Sequence, residues 1–186
     1  MVIETLAKDA TKEDALVFAY CRYSQSYTAL EILRGLAKQL LEDHPNRTLP
    51  IVKEVYGKHA LRQTNLTINE TVTLLQRLLA SFNEGKVRII VDGLDEVVDA
   101  QKVPLLQSLA KLPNTPLLIL SRPLPLFTDF LGRPFATFDV QARNEDIDRF
   151  ITKSISNHPH LRVIVAQEEG ALETIARMVR EKSRGM

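Results

Sequence analysis

The chain has 186 residues, and its 24 Lys plus Arg stand against 23 Asp plus Glu for a formal net charge of +1. No charge excess points to nucleic acid or an anionic membrane as the main partner. Hydrophobic residues at 45% and charged residues at 25% are the balance of a chain that buries a core.

A single cysteine, Cys21, excludes an internal disulfide and favours a reducing, cytoplasmic setting, in which the sequons at Asn46, Asn65 and Asn69 are chance matches. The opening MVIETLAKDATKED carries Glu4 inside its short apolar stretch and does not read as a signal peptide. No apolar run has the length of a membrane span.

In chain order, VIETLAKD reads as the end of a helix, and ALVFAY at Ala15–Tyr20 as a short buried strand. Thr28 and Glu31 have capping-box spacing, and Leu30, Leu33, Ala37 and Leu41 then recur on one helical face. Pro50 suits a first helical position before Ile51, Val55 and Tyr56. Asn69 is a plausible cap for a stripe of Val72, Leu75, Leu79 and Phe82.

Two further strands follow, near residues 87–92 (VRIIVD) and 117–121 (LLILS). Both are apolar enough to be buried on both faces, as parallel strands are. A weaker fourth is expected at Ala136–Val140. A C-terminal helical part over 144–186 carries one stripe of Ile147, Phe150, Ile151 and Ile155 and another of Leu172, Ile175, Ala176 and Val179. Strands alternating with helices predict βαβ units and an α/β fold with a parallel sheet. No repeat, low-complexity tract or linker divides the chain, so it reads as one domain. Both termini read as cut: the first element is half a helix, and the chain stops one residue after Gly185.

The chemistry concentrates in VRIIVDGLDE at Val87–Glu96. A buried strand runs into Asp92, Gly93 permits a sharp turn, and Asp95 and Glu96 follow. Ligands of open parallel sheets bind beyond the carboxyl ends of the strands. Three carboxylates crowded there repel one another unless a cation offsets them, and Mg²⁺ prefers carboxylate and phosphate oxygens. The plainer alternative is that acidic residues after a strand cap the next helix or face water. Arg122, after the third strand, is on the same footing: a surface arginine before Pro123, or a phosphate contact.

The stretch VRIIVDGLDE resembles the extended Walker B motif of NACHT-type domains, the signal-transduction (STAND) P-loop NTPases. ALVFAYCRYS, ALEILRGLAKQLLEDHP, LLILSRP, RNEDIDRFI and ALETIARMVREKSRGM agree in order and spacing with the fungal nephrocystin-like N-terminal subfamily across nearly the whole chain. The resemblance implies a three-layer P-loop NTPase-like sheet with flanking helices. It assigns Mg²⁺ to Asp92, through water or directly, and orientation of the attacking water to Glu96 with Asp95. Arg122 in the SRP triplet is then the sensor of the γ-phosphate, by a charge-assisted, bidentate contact.

The loop G-x-x-x-x-G-K-[ST], whose backbone amides and Lys cradle the phosphates, is not in these residues. Of the seven glycines only Gly57 and Gly85 precede a lysine; the residues after Lys58 and Lys86 are His59 and Val87, and the earlier glycine is replaced by Val52 or Ala80. The fold is therefore expected to be incomplete, without its P-loop strand, VIETLAKD being the tail of the P-loop helix. Exposed strand edges and an exposed apolar helix face then predict marginal stability.

Mg²⁺ and ATP or GTP are the cofactors of the complete parent domain, and none is expected for this chain alone, which should not turn over nucleotide. The leading expectation is an incomplete nucleotide-dependent switch domain of a larger NOD-like receptor. Its partners would be an N-terminal effector and C-terminal repeats such as ankyrin or WD40, with self-association open. The alternative is a catalytically dead protein-interaction module. A metal-dependent hydrolase would need a second ligand cluster, and none is legible. His44, His59, His158 and His160 are scattered or in polar loops, and Cys21 reads as a small core residue. Arg177, Arg180, Lys182 and Arg184 read as a solvated basic face, or a contact for a following winged-helix domain.

Overall fold

The structure, a computed structural model, describes residues 2–8, 11, 13–113, 115–132, 134–140, 143–168 and 170–183. These form two compact units, Met1–Pro134 and Phe135–Met186.

In the first unit, helix α1 (Val2–Lys8) precedes strand β1 (Ala15–Tyr20). Helix α2 (Ala29–Asp43) starts at the expected capping box: Glu31 N–H donates to the Thr28 hydroxyl at 3.2 Å, and Thr28 N–H donates to the Glu31 carboxylate at 2.8 Å. Its buried face is Ala29, Ile32, Leu33, Leu36, Ala37 and Leu40. The stripe expected through Leu30 and Leu41 is thus rotated, because those two are only half-buried at its margin.

Helix α3 (Pro45–Arg62) begins at Pro45, so Pro50 lies within it rather than at its start. The missing N–H of Pro45 falls among donors that are unsatisfied in any first turn. Helix α4 (Ile68–Leu79) is capped by a second box, Thr67 with Glu70, and Asn69 sits in its first turn instead of capping it. A Thr hydroxyl with Glu three residues on satisfies two backbone donors reciprocally, which a lone Asn side chain does not.

Strand β2 (Val87–Asp92) leads through a single helical turn, Leu94–Glu96, into α5 (Asp99–Ala110). Strand β3 (Leu117–Leu120) and the short α6 (Leu126–Phe130) complete the unit. The strands form a parallel sheet in the order β1-β2-β3, with Val17 beside Ile89 and Ile89 beside Leu117. The sheet has no open slot inside it: β2 is hydrogen-bonded on both sides, and its free edges are β1 and β3.

Residues two apart share a face of a strand. One face presents Ala15, Val17, Ala19, Val87, Ile89, Val91, Leu117 and Ile119, all in or against the core that α2, α4 and α5 cover. Nothing from the other face belongs to that core.

In the second unit, α7 (Asn144–Asn157), α8 (Pro159–Gln167) and α9 (Ala171–Ser183) pack around Ile147, Ile151 and Ala176, with Ile155 against them. Phe150, Leu172, Ile175 and Val179, expected to share those stripes, are exposed. Arg180 of α9 is not a solvated charge: its Nε donates to Asp148 Oδ1 of α7 at 3.0 Å, and a second guanidinium nitrogen bonds the other oxygen. Arg184 and Gly185 lie outside the described residues.

The expected strand at Ala136–Val140 is not formed; the segment has no regular structure, and Phe138 and Val140 are exposed. Alternation there marks extended backbone, but among the described residues it joins no sheet and its apolar side chains stay exposed. Among the described residues no helix is long and apolar enough to cross a membrane.

Candidate functional site at the carboxyl end of the sheet

Asp92 ends β2, the central strand, and its register partners are Tyr20 and Leu120, the last residues of the neighbouring strands. The three strand ends are locked together: Cys21 N–H donates to the Asp92 carbonyl at 2.8 Å, and Gly93 N–H donates to the Leu120 carbonyl at 2.9 Å. Gly93 has φ +75°, and a Cβ there would lie 2.6 Å from the Cys21 carbonyl oxygen. Two independent constraints, a left-handed backbone and a close approach, therefore require glycine. Leu94, fully buried, anchors the turn and sets where the next two carboxylates go.

Those carboxylates diverge. Asp95 turns toward β3, where its Oδ1 accepts from the Arg122 backbone N–H at 3.2 Å and its Oδ2 lies 3.5 Å from Arg122 Nε. Glu96 turns toward β1, where its Oε2 accepts from the backbone N–H of Tyr23 at 2.8 Å. Asp92 is half-buried, and its carboxylate has no hydrogen bond or ion pair among the described residues. Between them sits Cys21, whose thiol is pushed up to about 11 by burial and then by the negative charges of Asp92, Glu96 and Asp95.

All four expected site residues thus meet at one end of the sheet, but the three acids do not converge on a point. Among the described residues no group of three His, Cys, Asp or Glu side chains is placed to hold a metal. One free carboxylate beside two tethered ones suits an ion that draws its remaining oxygens from phosphate and water. The Arg122 side chain is 72% exposed, although Asp95 holds both its Nε and its backbone N–H.

Residues 1–122 match the family model described as nephrocystin 3, N-terminal. The chain belongs to that family. The nephrocystin 3 N-terminal match takes in all three strands and runs through Asp92, Asp95 and Glu96 to end at Arg122. No curated protein matches the chain.

Reading the sequence alone misses Tyr23, which enters the site through its backbone, a group invisible to residue type. Its position was available as a signal, because the loop after the first strand of a parallel sheet opens at the same end as the acidic turn. Two cavities of about 440 Å³ lie at the opposite, amino end of the strands, one against Phe82, Val87 and Lys111 and one against Asp14, His44 and Arg47. Neither touches the acidic turn. Two of the four histidines make structural contacts: His44 stands edge-on to Phe82 at 5.1 Å, and His59 Nδ1 is 2.9 Å from the Thr64 hydroxyl.

Proposed function

We propose that this chain is an incomplete nucleotide-binding switch domain of the NACHT type. It retains the acidic Walker B turn and a sensor arginine, within a larger signalling protein of the NOD-like receptor kind. One placement supports the proposal: Asp92 ends the central strand with its carboxylate unpaired among the described residues, and Arg122, two residues past the end of the adjacent strand, is held at the same end of the sheet by Asp95 of the acidic turn.

In the complete site, Asp92 would hold Mg²⁺ and Glu96 with Asp95 would orient the attacking water. Arg122 would contact the terminal phosphate. Mg²⁺ there would supply charge neutralisation of the phosphates and nothing that the carboxylates provide alone. A P-loop strand and its helix would supply the phosphate cradle, and these residues lack its sequence. Effector and repeat domains of the same protein are the partners this role calls for.

The test is Mg²⁺-dependent binding of a fluorescent ATP or GTP analogue to the 186-residue chain and to the natural product of its gene. The short chain should give no signal. A natural product carrying G-x-x-x-x-GK-[ST] should bind, and Asp92→Asn should abolish the Mg²⁺ dependence. Arg122→Ala should cut the preference for triphosphate over diphosphate by about tenfold, the worth of one charge-assisted contact. A natural product without that loop that binds no nucleotide would instead make this a protein-interaction module.

A further inference from the structure

The outer edge of β1 is closed by a side chain. Ala15 N–H donates to the Lys86 carbonyl and Cys21 N–H to the Asp92 carbonyl, both at 2.8 Å, which fixes the phase of the ladder. The odd-numbered residues of β1 turn their backbone groups toward β2, so Leu16, Phe18 and Tyr20 turn theirs outward. Phe18 is the middle one. Its N–H donates to Gln39 Oε1 at 2.9 Å, and its carbonyl accepts from Gln39 Nε2 at 2.8 Å.

Gln39 reaches this point from α2, whose buried face, Leu36 and Leu40 included, fixes the helix against the sheet. A primary carboxamide has the donor and acceptor of a peptide unit, and it here satisfies both backbone groups of one edge residue. A neighbouring strand would do the same. Leu16 and Tyr20, on either side, have no such backbone partner among the described residues. An edge of alternating free N–H and C=O groups is a template for pairing with another chain, and this one is apolar and aromatic, with Phe18 and Tyr20 packed edge-to-face at 5.4 Å.

We propose that Gln39 is an edge guard: its carboxamide occupies the place of a neighbouring peptide group at Phe18 and prevents β1 from pairing with β1 of a second copy of this chain. Two copies related by a two-fold axis would join these edges antiparallel, centred on Phe18. Both the N–H and the C=O at that centre are already taken. Gln39→Leu keeps the size and removes both bonds. Gln39→Glu keeps one acceptor and sets a carboxylate against the Phe18 carbonyl.

Hydrogen exchange and sedimentation velocity test this. In the unaltered chain the Phe18 amide should be protected at least about tenfold more than those of Leu16 and Tyr20, since it alone has a bonded partner. Equal protection at the three positions overturns the proposal without any variant. Gln39→Leu should lose the Phe18 protection and sediment as a concentration-dependent dimer or larger species where the unaltered chain at the same concentration does not. Gln39→Glu should keep most of the Phe18 protection, because a carboxylate oxygen still accepts from that N–H, and should stay less associated than the Leu variant, because a charge at the edge opposes pairing. Should the Leu variant prove unfolded by circular dichroism, the exchange comparison and the Glu variant decide. A folded Gln39→Leu chain with unchanged sedimentation removes the guard role.

Discussion

Val87, Ile89 and Val91 project from β2 onto one face of the sheet and are almost inaccessible, whereas Arg88, Ile90 and Asp92 project onto the other, where Tyr20 is 48% and Leu118 is 37% exposed. Both faces belong to strands of nearly uninterrupted apolar residues, and both look equally suited to burial by sequence. Parallel strands normally have helices over each face. Here α2, α4 and α5 cover the first, and the second keeps only Ile90 inaccessible, shielded because its strand is central. The open face is also the one that carries Asp92. Among the described residues, the less covered surface and the unpaired carboxylate therefore coincide.

The largest expected effect separates the two faces directly. Ile89→Ala, in the covered core at 1% exposure, should cost about 3 kcal/mol in urea denaturation, from lost transfer energy and the cavity left behind. Leu118→Ala, one strand over on the open face, should cost less than about 1 kcal/mol, because much of that side chain already meets water. Equal losses at the two positions would break the comparison and require the open face to be packed in solution.

Gly93→Ala tests the turn that delivers the acids. The left-handed backbone and the 2.6 Å approach to the Cys21 carbonyl should together cost about 2 kcal/mol or more, again by denaturant titration. A smaller loss would mean that the turn relaxes easily, with the strand ends less firmly tied than their hydrogen bonds suggest.

The smallest effect is a rate at Cys21, which sharpens the picture of charge at this end of the sheet. Its thiol, raised to about 11, should react with a thiol probe at pH 8 about a hundredfold more slowly than the same cysteine in the urea-unfolded chain, from thiolate fraction alone. The sign follows for stability too. The folded thiol holds its proton more tightly than the unfolded one, so the preference for the folded state is whole below pH 9 and falls as pH rises toward 11. The Cys21→Ala chain should lack that component of the alkaline loss. Neutralising Asp92 as Asp92→Asn should bring the thiol partway down, since that charge is second to burial among the causes.

Much of the first unit was legible before any coordinates. The strands at Ala15–Tyr20, Val87–Asp92 and Leu117–Leu120 declare themselves as apolar runs, and the Thr28 box fixes the start of α2 from four residues of sequence. The candidate residues could be named because their chemistry is carried by side chains, three of them in one short motif and Arg122 in the triplet after the third strand. Periodicity was less reliable where little is buried: the stripes of α7 and α9 are as regular as those of α4, yet α4 buries Val72, Leu75 and Leu79 while α9 buries Ala176 alone.

The sequence by itself determined the α/β alternation, the parallel strands and the acidic turn with its obligatory glycine, and it singled out Asp92, Asp95, Glu96 and Arg122, which the fold gathers at one end of the sheet. Only the tertiary structure decided that the acids part company, Asp95 to Arg122 and Glu96 to the Tyr23 N–H, with Asp92 unpaired among the described residues. It also decided that one face of the sheet is left thinly covered, and that Gln39 closes the β1 edge. Local pattern can specify an element and its end, because those depend on neighbours within a few residues. Which backbone amide a carboxylate or a carboxamide finds depends on residues 21 to 73 positions away, and only the assembled sheet brings them within reach.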